Sequence, residues 1–135
     1  MTPALDGPAA TMVRHARVAH LATLLEDGSP HVVPVCPVLD GDRIVVALGG
    51  GAKLRNVRRD PRVALVVDDY VEDWDALRRV AVFGRATVVD DGPAWERGRD
   101  LLYAKFAQYE PQAEILPGET AVVEVSIERV STLGV

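Results

Sequence analysis

Cysteine is nearly missing from this chain of 135 residues: Cys36 stands alone. A disulfide within the chain is therefore excluded, and a reducing, cytoplasmic compartment is the expectation. A basic excess is missing too. Fifteen lysines and arginines face 20 acids, for a net charge of −5. That balance argues against a nucleic-acid module, which needs cations to neutralise phosphates. No apolar run approaches the roughly 18 residues of a membrane-spanning helix, so no membrane association is expected. The N-terminal stretch Met1–Gly7 has neither the basic nor the apolar segment of a secretory signal. Also absent are G-x-S-x-G, H-E-x-x-H and C-x-x-C, the marks of a serine nucleophile elbow, a zinc-protease helix and a redox or zinc pair.

What is abundant is valine. Twenty-two valines and three isoleucines favour strands over a helical bundle. The length fits one domain, residues 1–135. A short helix is expected over 9–16, with Pro8 at its start. Alternation from Val18 predicts a strand, Asp27-Gly28 supplies a hairpin turn, and His31–Val35 forms the return strand. Pro34 and Pro37 lie in or beside that strand. Proline cannot donate to a ladder, so an edge or an open surface is expected there. Further strands are expected over Arg43–Leu48, Val63–Asp69, Arg79–Val89 and Thr120–Val130. A short helix over Lys53–Arg59 should stop before Asp60-Pro61. A longer one should run from Asp91 to about Tyr109, with Trp95, Leu102, Phe106 and Tyr109 on one face. The expected fold is mainly β: a six-stranded antiparallel barrel, closed or split, with short flanking helices.

Few residues carry an obvious chemistry. His15, His20 and His31 are too scattered for a metal site. Cys36, between Val35 and Pro37, reads as a small buried apolar residue. Gly49-Gly50-Gly51-Ala52-Lys53 lacks the spacing and the Lys-Ser/Thr end of a nucleotide-triphosphate loop. The informative cluster is Lys53, Arg55, Arg58, Arg59 and Arg62, five of the 15 basic residues in ten positions. It lies on a helix that begins after a glycine run. Free N–H groups and positive potential at that end, with Lys53 and Asn56 nearby, can hold a phosphate. Arg58 and Arg59 read equally as solvated, or as paired with the acidic stretch Asp68–Asp75. No acid/base group stands out, so any reaction is expected to belong to a bound cofactor.

Residues 53–68, KLRNVRRDPRVALVVD, resemble the signature of the flavin-binding split-barrel proteins related to pyridoxamine 5′-phosphate oxidase. Residues 16–35 resemble the first hairpin of that family, and residues 68–86 its Glu-Asp-Trp segment and following strand. The arginine-rich helix is most similar to the branch that uses the deazaflavin F420.

The resemblance implies a homodimer with cofactor sites at the subunit interface. It implies that Lys53 holds the cofactor phosphate with Asn56 and Arg55, and that Thr23 and His31 approach the phosphate or ribityl chain. The backbone of Val33-Pro34-Val35 would lie along the ring system, and Arg79 would reach the ring from the partner subunit. A salt bridge from Arg79 to Asp73 or Asp75 is the plainer alternative for that residue. The chain departs from the family in its shortened glycine loop, which lacks one or two basic residues. It also ends soon after Val130, without the segment that binds pyridoxal phosphate in true pyridoxamine phosphate oxidases. The implied activity is hydride transfer from reduced F420 to a small electron-poor substrate, with Arg55, Arg58 and Arg59 lining a groove for the acidic F420 tail. FMN in the same pocket, or non-catalytic binding of a flavin, haem or tetrapyrrole, is the alternative.

Overall fold

The computed structural model describes residues 5–135. Met1–Ala4, with which the N-terminal stretch considered above begins, lie outside the described residues. The order is α1 (Gly7–His15), β1 (Ala19–Leu24), β2 (Pro30–Val35), β3 (Val38–Asp40), β4 (Arg43–Leu48), α2 (Gly51–Arg59), β5 (Arg62–Asp69), a 3₁₀ turn (Trp74–Ala76), β6 (Arg78–Val89), α3 (Gly92–Lys105), α4 (Tyr109–Gln112) and β7 (Ala121–Leu133). Among the described residues no helix is long and apolar enough to cross a membrane.

All seven strands belong to one sheet in the order β2-β1-β5-β6-β7-β4-β3, and every pairing given is antiparallel. The fold is the expected split barrel with one strand more than expected. The extra strand is β3, three residues that follow Pro37 and run directly into the Asp40-Gly41-Asp42 turn. So short a run shows no alternation to read. The last strand continues to Leu133 rather than Val130. The long helix stops at Lys105, and Phe106 leaves helical geometry at φ −122°, ψ 88°. Its apolar face was nonetheless legible: Trp95, Leu102 and Phe106 are buried. Tyr109, on the separate α4, meets Phe106 edge-on with ring centroids 6.0 Å apart.

Two apolar layers hold the sheet. Inside the curl, Leu21, Ile44, Val46, Leu65, Val80, Val82, Val125 and Ile127 pack with Val13 of α1 and Val57 of α2. Outside it, α3 covers Val38, Val45 and Val122 with Trp95, Leu102 and Phe106. β4 is thus buried on both faces, which is why RIVVAL reads as a continuous apolar run. Cys36 belongs to this second layer but is only half-buried, because β2 ends beside it. The outer face of β2-β1-β5-β6 has no such cover. Across it run Val32, Ala22, Ala64 and Phe83, and beside them Pro34, His20, Val66 and Ala81. Val32 is 61% exposed.

Lys105 fastens α3 to the barrel. Its ammonium donates to the carbonyls of Pro37 at 2.7 Å and Val13 at 3.3 Å. Burial, and then the nearby Arg17 cation, hold it down to about 8 from 10.5. Below about pH 8 both the folded and unfolded chains carry this charge, so the cost of burying it is fully present. Between about pH 8 and 10.5 the folded chain sheds the proton first, and stability rises. Urea midpoints of the wild type should therefore climb relative to Lys105→Met across that interval. Parallel curves would show that the ammonium carries no burial penalty.

Candidate cofactor site

The site is built where α2 meets the inner face of β1 and β2. Gly50 and Gly51 precede the first turn with φ +113° and +79°, which side chains disfavour, and the space around both is open. Gly50 and Gly51 are therefore a conformational requirement of this turn. The N-terminus of α2 has no side-chain cap and no acid in its first turn. Its leading N–H groups are free for an anion, and Lys53 stands among them, half-buried. Neither Lys53 nor the exposed Arg55 forms an ion pair among the described residues.

Asn56 has a different task from the one its spacing implied. It is 3% exposed, and its Nδ2 donates to Thr23 Oγ1 at 3.0 Å. Its Oδ1 accepts from Arg59 Nη2 at 3.1 Å, and the same guanidinium donates to the Leu24 carbonyl at 2.7 Å. These bonds pin α2 to the end of β1. Arg59 was singled out in the sequence as part of the basic cluster, but its role in this pin was not. Its place three positions after Asn56 on one helix face was the available signal. Asn56→Leu should cost about 1–3 kcal/mol in denaturant unfolding, because Thr23 and Arg59 lose their partner. An unchanged midpoint would mean that the pin contributes nothing.

His31 pairs with Thr23 across the β1–β2 ladder, and both point inward. The His31 Nδ1 is buried without a hydrogen-bond partner, an unusual state for a ring nitrogen. Val33 and Val35 follow on the same inner face, while Pro34 faces out. β2 is an edge strand, as its prolines required. Prolines at 30 and 34 have no N–H to give, so they suit the positions that face away from β1. Val32 then shares that open side with its N–H and carbonyl.

The remaining arginines of the cluster are engaged elsewhere. Arg58 forms a bidentate pair with Asp90, at 2.6 and 3.0 Å, not with the acidic stretch. Arg62 grips Asp60 at 2.7 Å and, through those hydrogen bonds, lowers the Asp60 carboxyl to about 2. Of the three arginines Arg55, Arg58 and Arg59, the last two are engaged within the chain, and among the described residues Arg55 has no hydrogen-bond or ion-pair partner. Arg79 makes no salt bridge to Asp73 or Asp75. It lies on the outer face of β6, with Nη2 3.5 Å from Ser131 Oγ. It is therefore on the opposite face from Thr23 and His31 of its own chain, and beside the uncovered rows.

A family model described as pyridoxamine 5′-phosphate oxidase matches residues 5–134. The chain belongs to this family. Among curated relatives of this pyridoxamine 5′-phosphate oxidase family member is the 5a,11a-dehydrotetracycline/5a,11a-dehydrooxytetracycline reductase of Streptomyces rimosus. It is 35% identical over 88 residues, 61% of this chain and 62% of that enzyme. The match thus spans less than two thirds of the enzyme's length. Among solved structures, HutZ, a haem storage protein from Vibrio cholerae, has a TM-score of 0.80 at 15% identity, covering 96% of this chain and 94% of its own. An F420 reductase has a TM-score of 0.71 at 21% identity, covering 94% and 98%. At such identities these two structures show the family fold and no more.

Proposed function

We propose that this family member is an oxidoreductase that binds reduced F420 at the N-terminus of α2 and works as a homodimer. The observation that carries the reading is the coincidence of an uncapped helix N-terminus, an unpaired Lys53 and the orphaned Nδ1 of His31 beside Thr23. A phosphorylated ribityl chain fits that set: Lys53 and the leading N–H groups of α2 hold the phosphate, and His31 Nδ1 meets an oxygen of the chain. Asn56 and Thr23 act by holding the helix in place. The open edge of β2 at Val32-Val33-Pro34 offers backbone groups to the ring system. When bound, reduced F420 supplies a hydride to an electron-poor double bond of the acceptor, and solvent supplies the proton that completes the two-electron reduction. The relative that reduces dehydrotetracyclines supports a reductase of unsaturated compounds. F420 is preferred to FMN because its acidic tail suits the uncommitted Arg55.

The dimer reading rests on the outer face of β2-β1-β5-β6. Its small apolar rows are uncovered, and Arg79 stands among them. From there Arg79 would reach a partner's site rather than that of its own chain. Val32→Glu should convert a dimer to a monomer in light scattering. Mixed anaerobically with reduced F420 and an enone, the protein should accelerate reoxidation of the cofactor, and with reduced FMN it should do so weakly. No acceleration with either cofactor would remove the reductase reading.

A further inference from the structure

The loop that leads into α2 carries no charge. Residues 49–52 are Gly-Gly-Gly-Ala, and a Cβ at Gly49, Gly50 or Gly51 would meet no atom within 4 Å. Past the loop stands Lys53, three positions before Asn56 and so on the same face of α2. Asn56 bonds to Thr23 at 3.0 Å, and Thr23 pairs with His31 across the ladder. The buried, unpartnered Nδ1 of His31 therefore adjoins that face. The cations that follow are engaged: Arg58 with Asp90, Arg59 with Asn56 and the Leu24 carbonyl, Arg62 with Asp60. Arg55, two positions after Lys53 and exposed, lies off the shared face. An anion at this helix end thus meets one full cation, Lys53, with N–H dipoles around it.

A terminal phosphate, a monoester, carries about 1.5 to 2 negative charges at pH 7, because its second ionisation lies near pH 6. A phosphodiester carries about one. One lysine matches the diester. The second charge of a monoester has only dipoles to meet it, in a half-buried setting where an unpaired charge is costly. The open space over the glycines also admits a second substituent on the phosphate. We propose that the uncharged loop 49–52 makes this a phosphodiester site: it takes a cofactor whose phosphate continues into a tail and disfavours one that ends in a phosphate. The inference rests on the cofactor reading above. It makes the charge of the phosphate itself, a diester in F420 and a monoester in FMN, a ground of selection separate from the tail and Arg55.

The test compares two probes that share the deazaflavin ring and ribityl chain and lack the acidic tail: the 5′-phosphate and its methyl ester. Both are titrated by fluorescence against the full chain, with F420 alongside. At about pH 8 the methyl ester should bind the wild type about fivefold more tightly than the monoester, although it offers less charge. At about pH 5.5, where the monoester keeps little more than one charge, the two should converge. The ratio of the probes cancels changes in the protein that affect both. Gly49→Lys and Ala52→Lys each place a cation in the loop, and neither position has a positive φ. Each should tighten the monoester about tenfold and the methyl ester by less than about threefold, reversing the preference. If F420 binds and the wild type holds the monoester as tightly as the methyl ester at about pH 8, the phosphodiester assignment alone is overturned. A preference that neither lysine moves would also overturn it. No binding of F420 would overturn this inference together with the cofactor reading, whatever the probes do.

Discussion

Lys53→Ala should weaken cofactor binding by about ten- to a hundredfold, the loss of a charge-assisted phosphate contact worth roughly 1.5–3 kcal/mol. The melting temperature of the cofactor-free protein should hardly move. Lys53 has no ion-pair partner among the described residues, and the pin that holds α2 runs through Asn56, Thr23 and Arg59. The paired control is Arg58→Ala, which breaks the contact to Asp90 and should leave affinity within about twofold. The Arg58–Asp90 pair is exposed on both sides and contributes little. Fluorescence titration of both variants reads the difference. Equal losses for Lys53 and Arg58 would point to diffuse attraction by the basic helix rather than to a phosphate held at its N-terminus.

Gly84→Ala should be severely destabilising although it adds a single methyl. Gly84 sits on the inner face of β6, at the bulge where its register against β7 jumps from Phe83–Arg129 to Gly84–Ile127. Glu128 is the extra residue. The backbones approach so closely that a Cβ at position 84 would fall on the Ser126 carbonyl oxygen. A carbonyl within the ladder cannot swing aside as a side-chain end can. A loss of more than about 3 kcal/mol is expected, at the upper end of overpacking effects, and it should appear as a collapse of the denaturant midpoint or of soluble yield. A midpoint within about 1 kcal/mol of wild type would mean that the β6–β7 bulge relaxes freely.

Much of the architecture was legible because alternation and turn chemistry agree in this chain. Asp27-Gly28 marked the first hairpin, and Gly28 is at positive φ there. Proline marked β2 as the edge it is. The elements misread are those whose limits depend on tertiary context. β3 is too short for a period and exists by pairing with β4. α3 ends where Phe106 turns into the outer core, which no helix-stop residue announces. The helix N-terminus behind the candidate site was legible, and the engagement of its side chains was less so. Lys53 and the glycine run read correctly as a helix N-terminus with an added cation. The spacing that put Asn56 near it did not show that its amide turns inward to Thr23. Nor did charge counting show that Arg58 finds Asp90, because that partner lies 32 positions away.

The central claim is that α2 and the β1–β2 hairpin form a deazaflavin site. It is tested most directly by titrating the purified full chain with F420 and, separately, with FMN, at low and physiological salt. The account predicts tight binding of F420 and weaker binding of FMN. The F420 advantage should shrink as salt screens the contact between its acidic tail and Arg55. FMN binding as tight as F420, with no difference in salt dependence, would contradict the assignment of F420; binding of neither would contradict the site.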